Sequence, residues 1–418
     1  MDKCFSQNPQ ELFAARKQRI LDSVALKETD RVPFSLFAHF WPARYRGVTY
    51  EQAMHDIDLM NDCTAEVIRL LQPDNYFANQ VLTGFGKQLA ALDYKQLEWP
   101  GHGTDENATF QYVDKEYMSA GEYDDYLFDP TGFYLHKFMP RVAGAWEVFN
   151  HFPAVSGGYG WKLIHLMASL GSDEAGEGLQ KLHEAGREVN SAVLSVIQFW
   201  QKMNEEGYPL GAAGRITAPF DMFADYLRGS KGAMLDMYRN PDKLLEAMDK
   251  TIILLMRDVE KGPQAFDCPF VFIPLHWGLD GFMSPDQFNT FYWPQLRSII
   301  HQLIERDLIP FVLWEGDCAS RLEFIGNIPP GKAMYMFEKT DMELAKDVLG
   351  DVVCLNGNVP PSLLNTGTPD DIDAYCKNLI TKVGKGGGLV LNGGIGIPDE
   401  AKTDNVVAMA RSVHKYAN

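Results

Sequence analysis

The second half of the chain alternates short apolar runs with helix-start signals, and this alternation restricts the fold more than any other feature of the sequence. CPFVFIPL, LIPFVLW, KAMYMF, DVVCLN and GGLVLN each have the length of a strand and little polar content. Asn240-Pro241 opens a helix whose Leu244, Ala247, Met248, Leu255 and Val259 form one face. Ser284-Pro285-Asp286-Gln287 is a capping box, and Thr368-Pro369-Asp370-Asp371 opens a further helix. Strands that are apolar on both sides, each followed by a helix that carries the chain back, make a parallel sheet. This many alternations without a Rossmann break predict an α/β fold closed into a (β/α)8 TIM barrel, with an open doubly wound sheet as the alternative.

The first half fits the same plan with additions. Asn8 and Pro9 start an N-terminal helical extension over residues 9–27, with Leu12, Ala15, Ile20 and Val24 on one face. RVPFSLFAHF then reads as the first strand, a helix follows at about Tyr50–Leu71, and DNYFANQ reads as the second strand. From Leu97 to about Arg141 the Gly-, Tyr- and Asp-rich pattern reads as an insertion; helical spacing returns over residues 157–207, and PLGAAGRITAP reads as a strand and loop. At 418 residues and 46% hydrophobic content, one elaborated domain over residues 1–418 is the expected organisation.

Composition narrows the partners. A net charge of −18 argues against a phosphate backbone, because nucleic-acid binding draws on clustered Lys and Arg. Neither a signal peptide nor an apolar run of membrane-spanning length is evident, so a cytoplasmic protein without membrane association is expected. Cys4, Cys63, Cys268, Cys318, Cys354 and Cys376 are scattered without a Cys-X-X-Cys pair, which predicts reduced thiols and no zinc knuckle. GKGGGLVLNGG lacks the Lys-Ser or Lys-Thr of a Walker loop, and GAAGRI lacks the third glycine of a dinucleotide fingerprint.

In a barrel of this kind the reacting groups stand at the carboxyl ends of the strands. The candidates are therefore His276, Trp277 and Asp280 after one strand; Trp314, Glu315, Asp317 and Cys318 after the next; then Glu338, Asn356 and Asn392. The first strand offers His39, Trp41 and Arg44, and the second Asp74 and Asn79. Glu315 follows an apolar strand directly, where burial raises a carboxyl pKa and suits it to proton transfer or metal binding; pairing with Arg321 or capping a helix is the alternative. Asp317 is a second proton donor or a helix cap, and His276 a ligand, a base or a hydrogen-bonded strand-end histidine. His39, Trp41, Arg44, Asp280, Trp314, Asn356 and Asn392 are candidate substrate contacts, although rim aromatics also simply cover a barrel mouth and Asn residues hold their own turns. His276, Glu315 and Cys318 would be the ligands of a zinc ion, if one binds.

Four segments carry a resemblance: ITAPFDMFADYLRGSKGAMLDMYRNPDKLLEAMDK, GFMSPDQFNTFYWPQLRSIIHQLIERDLIPFVL, CLNGNVPPSLLNTGTPDDIDAYCKNLI and LVLNGGIGIPDEAKTDNVVAM. In their order and spacing the chain resembles the uroporphyrinogen decarboxylases and their corrinoid methyltransferase relatives. Decarboxylases of that family carry Arg-Gln-Ala-Gly-Arg-Tyr after the first strand, whose arginines grip substrate carboxylates; here Phe40-Trp41-Pro42-Ala43-Arg44-Tyr45 stands instead. The methyltransferase branch binds zinc through His-X-Cys and a later Cys; Trp314, Gly316 and Ile395 occupy those places.

The resemblance implies a methyltransferase of a corrinoid-dependent demethylation system, with a small methylated substrate in the barrel and the corrinoid on a separate partner protein. A decarboxylase of a porphyrinoid or aromatic acid, its substrate held by Arg44 or Arg215, is the second reading. A non-catalytic tetrapyrrole- or corrinoid-binding protein is the third. A homodimer is compatible with all three.

Overall fold

The computed structural model describes residues 8–78, 80–151 and 159–417. Eight parallel strands build its centre: β1 (Ser35–Ala38), β2 (Asn75–Ala78), β3 (Gly214–Arg215), β4 (Phe270–Leu275), β5 (Ile309–Trp314), β6 (Met334–Phe337), β7 (Cys354–Asn356) and β8 (Leu389–Val390). Continuous ladders join β1 to β2 and run in order from β3 to β8. Single parallel bridges span the two remaining gaps, Phe34 to Leu391 on one side and Tyr76 to Leu210 on the other. Backbone bonds reinforce both seams, from Ser35 N to Leu391 O and from Gly211 N to Tyr76 O. The fold is thus the β/α barrel that the alternation predicts.

Register fixes what faces inward. Leu275 pairs with Trp314, and Trp314 with Phe337, so β4, β5 and β6 end level at one face. Helices return the chain outside, and some are started by side-chain caps: Ser284, Thr368 and Asp341 each accept a backbone N–H of the first turn.

Three details of the first half differ from expectation. The N-terminal helix, Pro9–Val24, buries Arg16, Ile20, Ser23 and Val24 rather than the stripe through Ala15, because Arg16 turns inward to donate to Gly207 O at 2.7 Å. The expected helix over residues 50–71 is two, Tyr50–His55 and Ile57–Leu71, broken where Asp56 turns extended and caps the second through Leu59 N. The insertion contains a small sheet formed by Leu97–Pro100, Gly103–Thr104 and Gln111–Tyr112.

Asp74 sits just before β2, at the end of the barrel opposite the carboxyl ends of the strands, and is fully buried. Arg31 holds it at 2.6 and 2.8 Å, Arg19 at 2.6 Å and the amide of Phe34 at 2.8 Å. It joins the N-terminal helix to the first two strands. Asn79 and Cys4 lie outside the described residues.

Candidate active site

A cavity of about 360 Å³ opens at the carboxyl ends of the strands. Strand alternation decides which side chains reach it, since successive residues point to opposite faces. β1 and the residue after it supply Phe37 and His39, β3 supplies Arg215, β4 leads in Phe272, Pro274 and His276, and β5 leads in Leu313 and Glu315. The turn after β8 adds Ile397, Asp399 and Glu400, and the insertion reaches over the opening with Thr109, Phe110 and Tyr112. Of the expected residues, the barrel brings His39, Arg215, His276 and Glu315 together.

His276 is held by two acids that the sequence reading did not single out. Beyond β3 the chain winds into a helix at Pro219–Asp221 and continues as a wider helical turn through Met222–Leu227, which puts Asp221 and Asp225 on one side. Asp225 takes the His276 Nδ1–H on Oδ2 at 2.6 Å and the Trp277 indole N–H on Oδ1 at 2.6 Å. Asp221 accepts the backbone N–H of His276 at 2.9 Å and the Tyr292 hydroxyl at 3.0 Å. The other imidazole nitrogen, Nε2, faces Glu315 Oε1 at 3.6 Å. An i, i+4 acid pair following a strand was the available signal for both aspartates.

These contacts sort the protonation states. Burial works against a charged His276, but the Asp225 hydrogen bond and charge, helped by Glu315 and Asp221, outweigh it and push the imidazole up to about 9. Burial raises the Glu315 carboxyl above the usual carboxylate range; His276 and Arg215 oppose this, while Glu338 and Asp225 add to it. Burial and then the neighbouring Asp225 charge carry Asp221 up to about 7. His39 goes the other way: burial, aided by Arg215, brings it down to about 4, so it enters the cavity as a neutral ring beside Phe37 and Phe110.

A stability trend with a definite sign follows. The folded chain holds the His276 proton more tightly than an unfolded chain, whose histidines titrate near 6.5. Its contribution is complete below about pH 6.5 and is lost as pH rises through about 9. His39 contributes in the opposite sense, and its share is lost as pH falls from 6.5 towards about 4. Of these two histidines His276 supplies the alkaline limb, to which buried thiols such as Cys268, pushed up by burial to about 11, add at the upper end. Thermal melts are expected to show Tm falling between about pH 7 and about pH 9.5, with the slope flattened in His276→Gln; an unchanged slope in that variant would assign the trend elsewhere.

The remaining expected residues stand apart from the cavity. Trp314 lies between Leu313 and Glu315, so the same alternation turns its buried ring away, onto Tyr335. Trp41 begins a short helix, is buried, and donates its indole N–H to Ala401 O at 3.0 Å. Arg44 is exposed on that helix, within hydrogen-bonding reach of Tyr50 rather than in the cavity lining. Asp280 accepts from Ser320 N and Oγ and pairs with Arg321 at 3.1 Å, anchoring the loop after β5. Asp317 accepts the Ala319 amide at 3.0 Å within its own turn, while Cys318 stands at the N-cap of the short helix that follows. Asn356, which ends β7, and Asn392, just beyond β8, are wholly buried; Asn356 Nδ2 meets Met334 sulfur at 3.4 Å and Asn392 Oδ1 takes the Gly393 amide at 2.8 Å. Glu338 accepts the Gly316 amide at 2.6 Å and so sets the backbone immediately after Glu315.

The residues present do not fit a thiolate zinc site. Cys318 is buried, burial holds its thiol far above the thiolate range, and its amide donates to Thr340 as part of a turn. Asp221, Asp225 and His276 do bring potential ligand atoms within 4.8 Å of one another. Ligation through Nδ1 would, however, cost His276 its bond to Asp225, and Asp225 already spends its second oxygen on Trp277. The trio is better described as an oriented, protonated imidazole.

Comparison with known proteins agrees with this architecture. The family model described as uroporphyrinogen decarboxylase (URO-D) matches residues 175–416. The uroporphyrinogen decarboxylase of Syntrophotalea carbinolica is 26% identical over 183 residues, 43% of this chain and 50% of that protein. That of Geobacter metallireducens is 26% identical over 240 residues, 54% of this chain and 65% of its own length. The chain thus spans about half the length of the first of these curated relatives. Among solved structures, a methyltransferase from Methanosarcina mazei superposes with a TM-score of 0.61 at 15% identity, covering 96% of this chain and 99% of that one, a likeness of fold.

Proposed function

Given that the chain belongs to the uroporphyrinogen decarboxylase family, we propose that it serves as a methyltransferase in a corrinoid-dependent demethylation system. The observation that carries this reading is the pairing of Glu315 with the protonated His276 in a small cavity of largely aromatic and aliphatic walls. Among its described lining residues Arg215 is the one guanidinium or ammonium, set against Glu315, Asp399 and Glu400. A polycarboxylate gains little from such a charge balance. At about 360 Å³ the cavity is near the lower end of the range for small-molecule sites, which suits a one-ring substrate and leaves a corrinoid ring at the mouth on its carrier protein. The methyltransferase from Methanosarcina mazei supports the same direction.

A reduced corrinoid on the partner supplies the nucleophile that accepts the methyl group, and the electron pair of the broken methyl–heteroatom bond stays on the heteroatom. Glu315 delivers a proton to that atom as the bond breaks, and His276, 3.6 Å away, replenishes it. Asp225 fixes the imidazole so that Nε2 faces Glu315. Since the zinc ligands do not fit, no step is assigned to a metal.

The test mixes the full chain with a reduced corrinoid protein and a panel of methylated ethers, amines and thioethers, following the corrinoid absorbance. Methylation of cobalt by one class of donor is the expected result. Release of carbon dioxide from an aromatic or porphyrinoid acid without cobalt methylation would move the assignment to a decarboxylase. Stoichiometric tetrapyrrole binding with neither reaction would make it a binding protein.

A further inference from the structure

Resting on the methyltransferase reading, we propose that the cavity selects a one-ring aromatic monoacid bearing a methyl ether, its carboxylate on Arg215 and its ring against Phe37, Phe110 and Phe272. Arg215 leaves the carboxyl end of β3, exposed to the cavity, with its guanidinium 6.0 Å from the Phe272 ring centroid and within hydrogen-bonding reach of Tyr112. Its charge is felt by both His39 and Glu315, so cation and proton donor face one shared space. A planar guanidinium at the edge of an apolar pocket is suited to grip a carboxylate through two parallel hydrogen bonds.

The walls favour a flat ring. Phe37 stands 5.9 Å from Phe272 at 70°, His39 lies 5.5 Å from Phe110, and Phe110 lies 5.9 Å from Tyr112, which together make a cleft lined by ring faces and edges. A second carboxylate on the ligand would meet Asp399 and Glu400 on the wall built by the turn after β8, which limits the acid to one group. The ether completes the match with Glu315. When the O–CH₃ bond breaks, its electron pair remains on the phenolic oxygen, the methyl group passes to the corrinoid nucleophile, and the proton from Glu315 yields a neutral phenol. An alkyl ammonium leaving group, already a stable amine on departure, would draw no comparable help from a carboxyl proton.

Calorimetric titration of the full chain with 4-methoxybenzoate, methoxybenzene, 5-methoxyisophthalate and trimethylammonioacetate tests this directly. The monoacid is expected to bind at least about tenfold more tightly than each of the other three, a difference of about 1.4 kcal/mol. Arg215→Met should erase the preference for the acid over methoxybenzene, and Arg215→Lys should keep part of it, with melting curves reporting folding of both. Equal affinity of the wild-type chain for the acid and the neutral ether, or tighter binding of the trimethylammonium compound or the diacid, overturns the proposal whether or not the variants fold. Cobalt methylation from other donors by a chain that ignores 4-methoxybenzoate overturns the substrate class and leaves the methyltransferase reading intact. Arg215-dependent binding of the monoacid without methyl transfer to any corrinoid supports the subsite and overturns that reading instead.

Discussion

Glu315→Gln is expected to slow cobalt methylation by about 10²-fold or more while changing substrate affinity little. The amide has the shape of the acid and can still hydrogen-bond, but it has no proton to give at the moment the methyl–heteroatom bond breaks. Positioned general acids contribute typically 10²–10⁴-fold, so the loss belongs in kcat and not in KM. Glu315 suits this task because burial raises its carboxyl and the Gly316 amide bond to Glu338 fixes the backbone that carries it. The penalty should also grow with the basicity of the leaving atom, being largest for a phenyl methyl ether and smallest for a methylated sulfonium, which departs neutral. A variant with unchanged kcat on an ether would remove Glu315 from the chemistry. Equal slowing on ether and sulfonium would point to a disturbed site rather than a lost proton.

The barrel was legible because its signals are local. Caps at Ser284 and Thr368 and apolar runs such as FVFIPL depend on neighbours within a few residues, and the structure keeps each of them. The site was legible only where a strand simply ends: His276 and Glu315 were found because position after a strand is a sequence property. Direction was the first thing missed. Trp314 and Glu315 are adjacent, yet only alternation against a known register shows that the carboxylate enters the cavity and the indole leaves it. Long-range contacts were the second. Trp41 is fixed by a carbonyl 360 residues away, and Phe110 and Tyr112 reach the cavity from an insertion whose sequence says nothing of where its sheet will lie. Asp221 and Asp225 belonged to a segment that drew notice for its resemblance and not for its acids; their four-residue spacing acquires meaning only when His276 arrives from the next strand.

Asp74 reverses that lesson, because an acid placed beside a barrel strand was read as a site candidate and proves to be a fastening. Two guanidinium groups and a backbone amide converge on a carboxylate that retains no exposed surface. Such a cluster adds little net stability when complete, since desolvating three charges offsets most of their attraction. Removing one member is another matter. Asp74→Ala strands Arg31, itself almost fully buried, without its counter-charge, and loss of one partner of a buried pair typically costs 3–5 kcal/mol. Denaturant melts are therefore expected to show Asp74→Ala destabilised by about 3–5 kcal/mol on that basis, with Asp74→Asn falling in between because the amide still accepts one hydrogen bond. Since Asp74 lies at the far end of β2 from the cavity, the folded fraction should keep wild-type kcat. A loss below about 1 kcal/mol would show that water replaces the carboxylate and that the N-terminal helix is held by its apolar face alone.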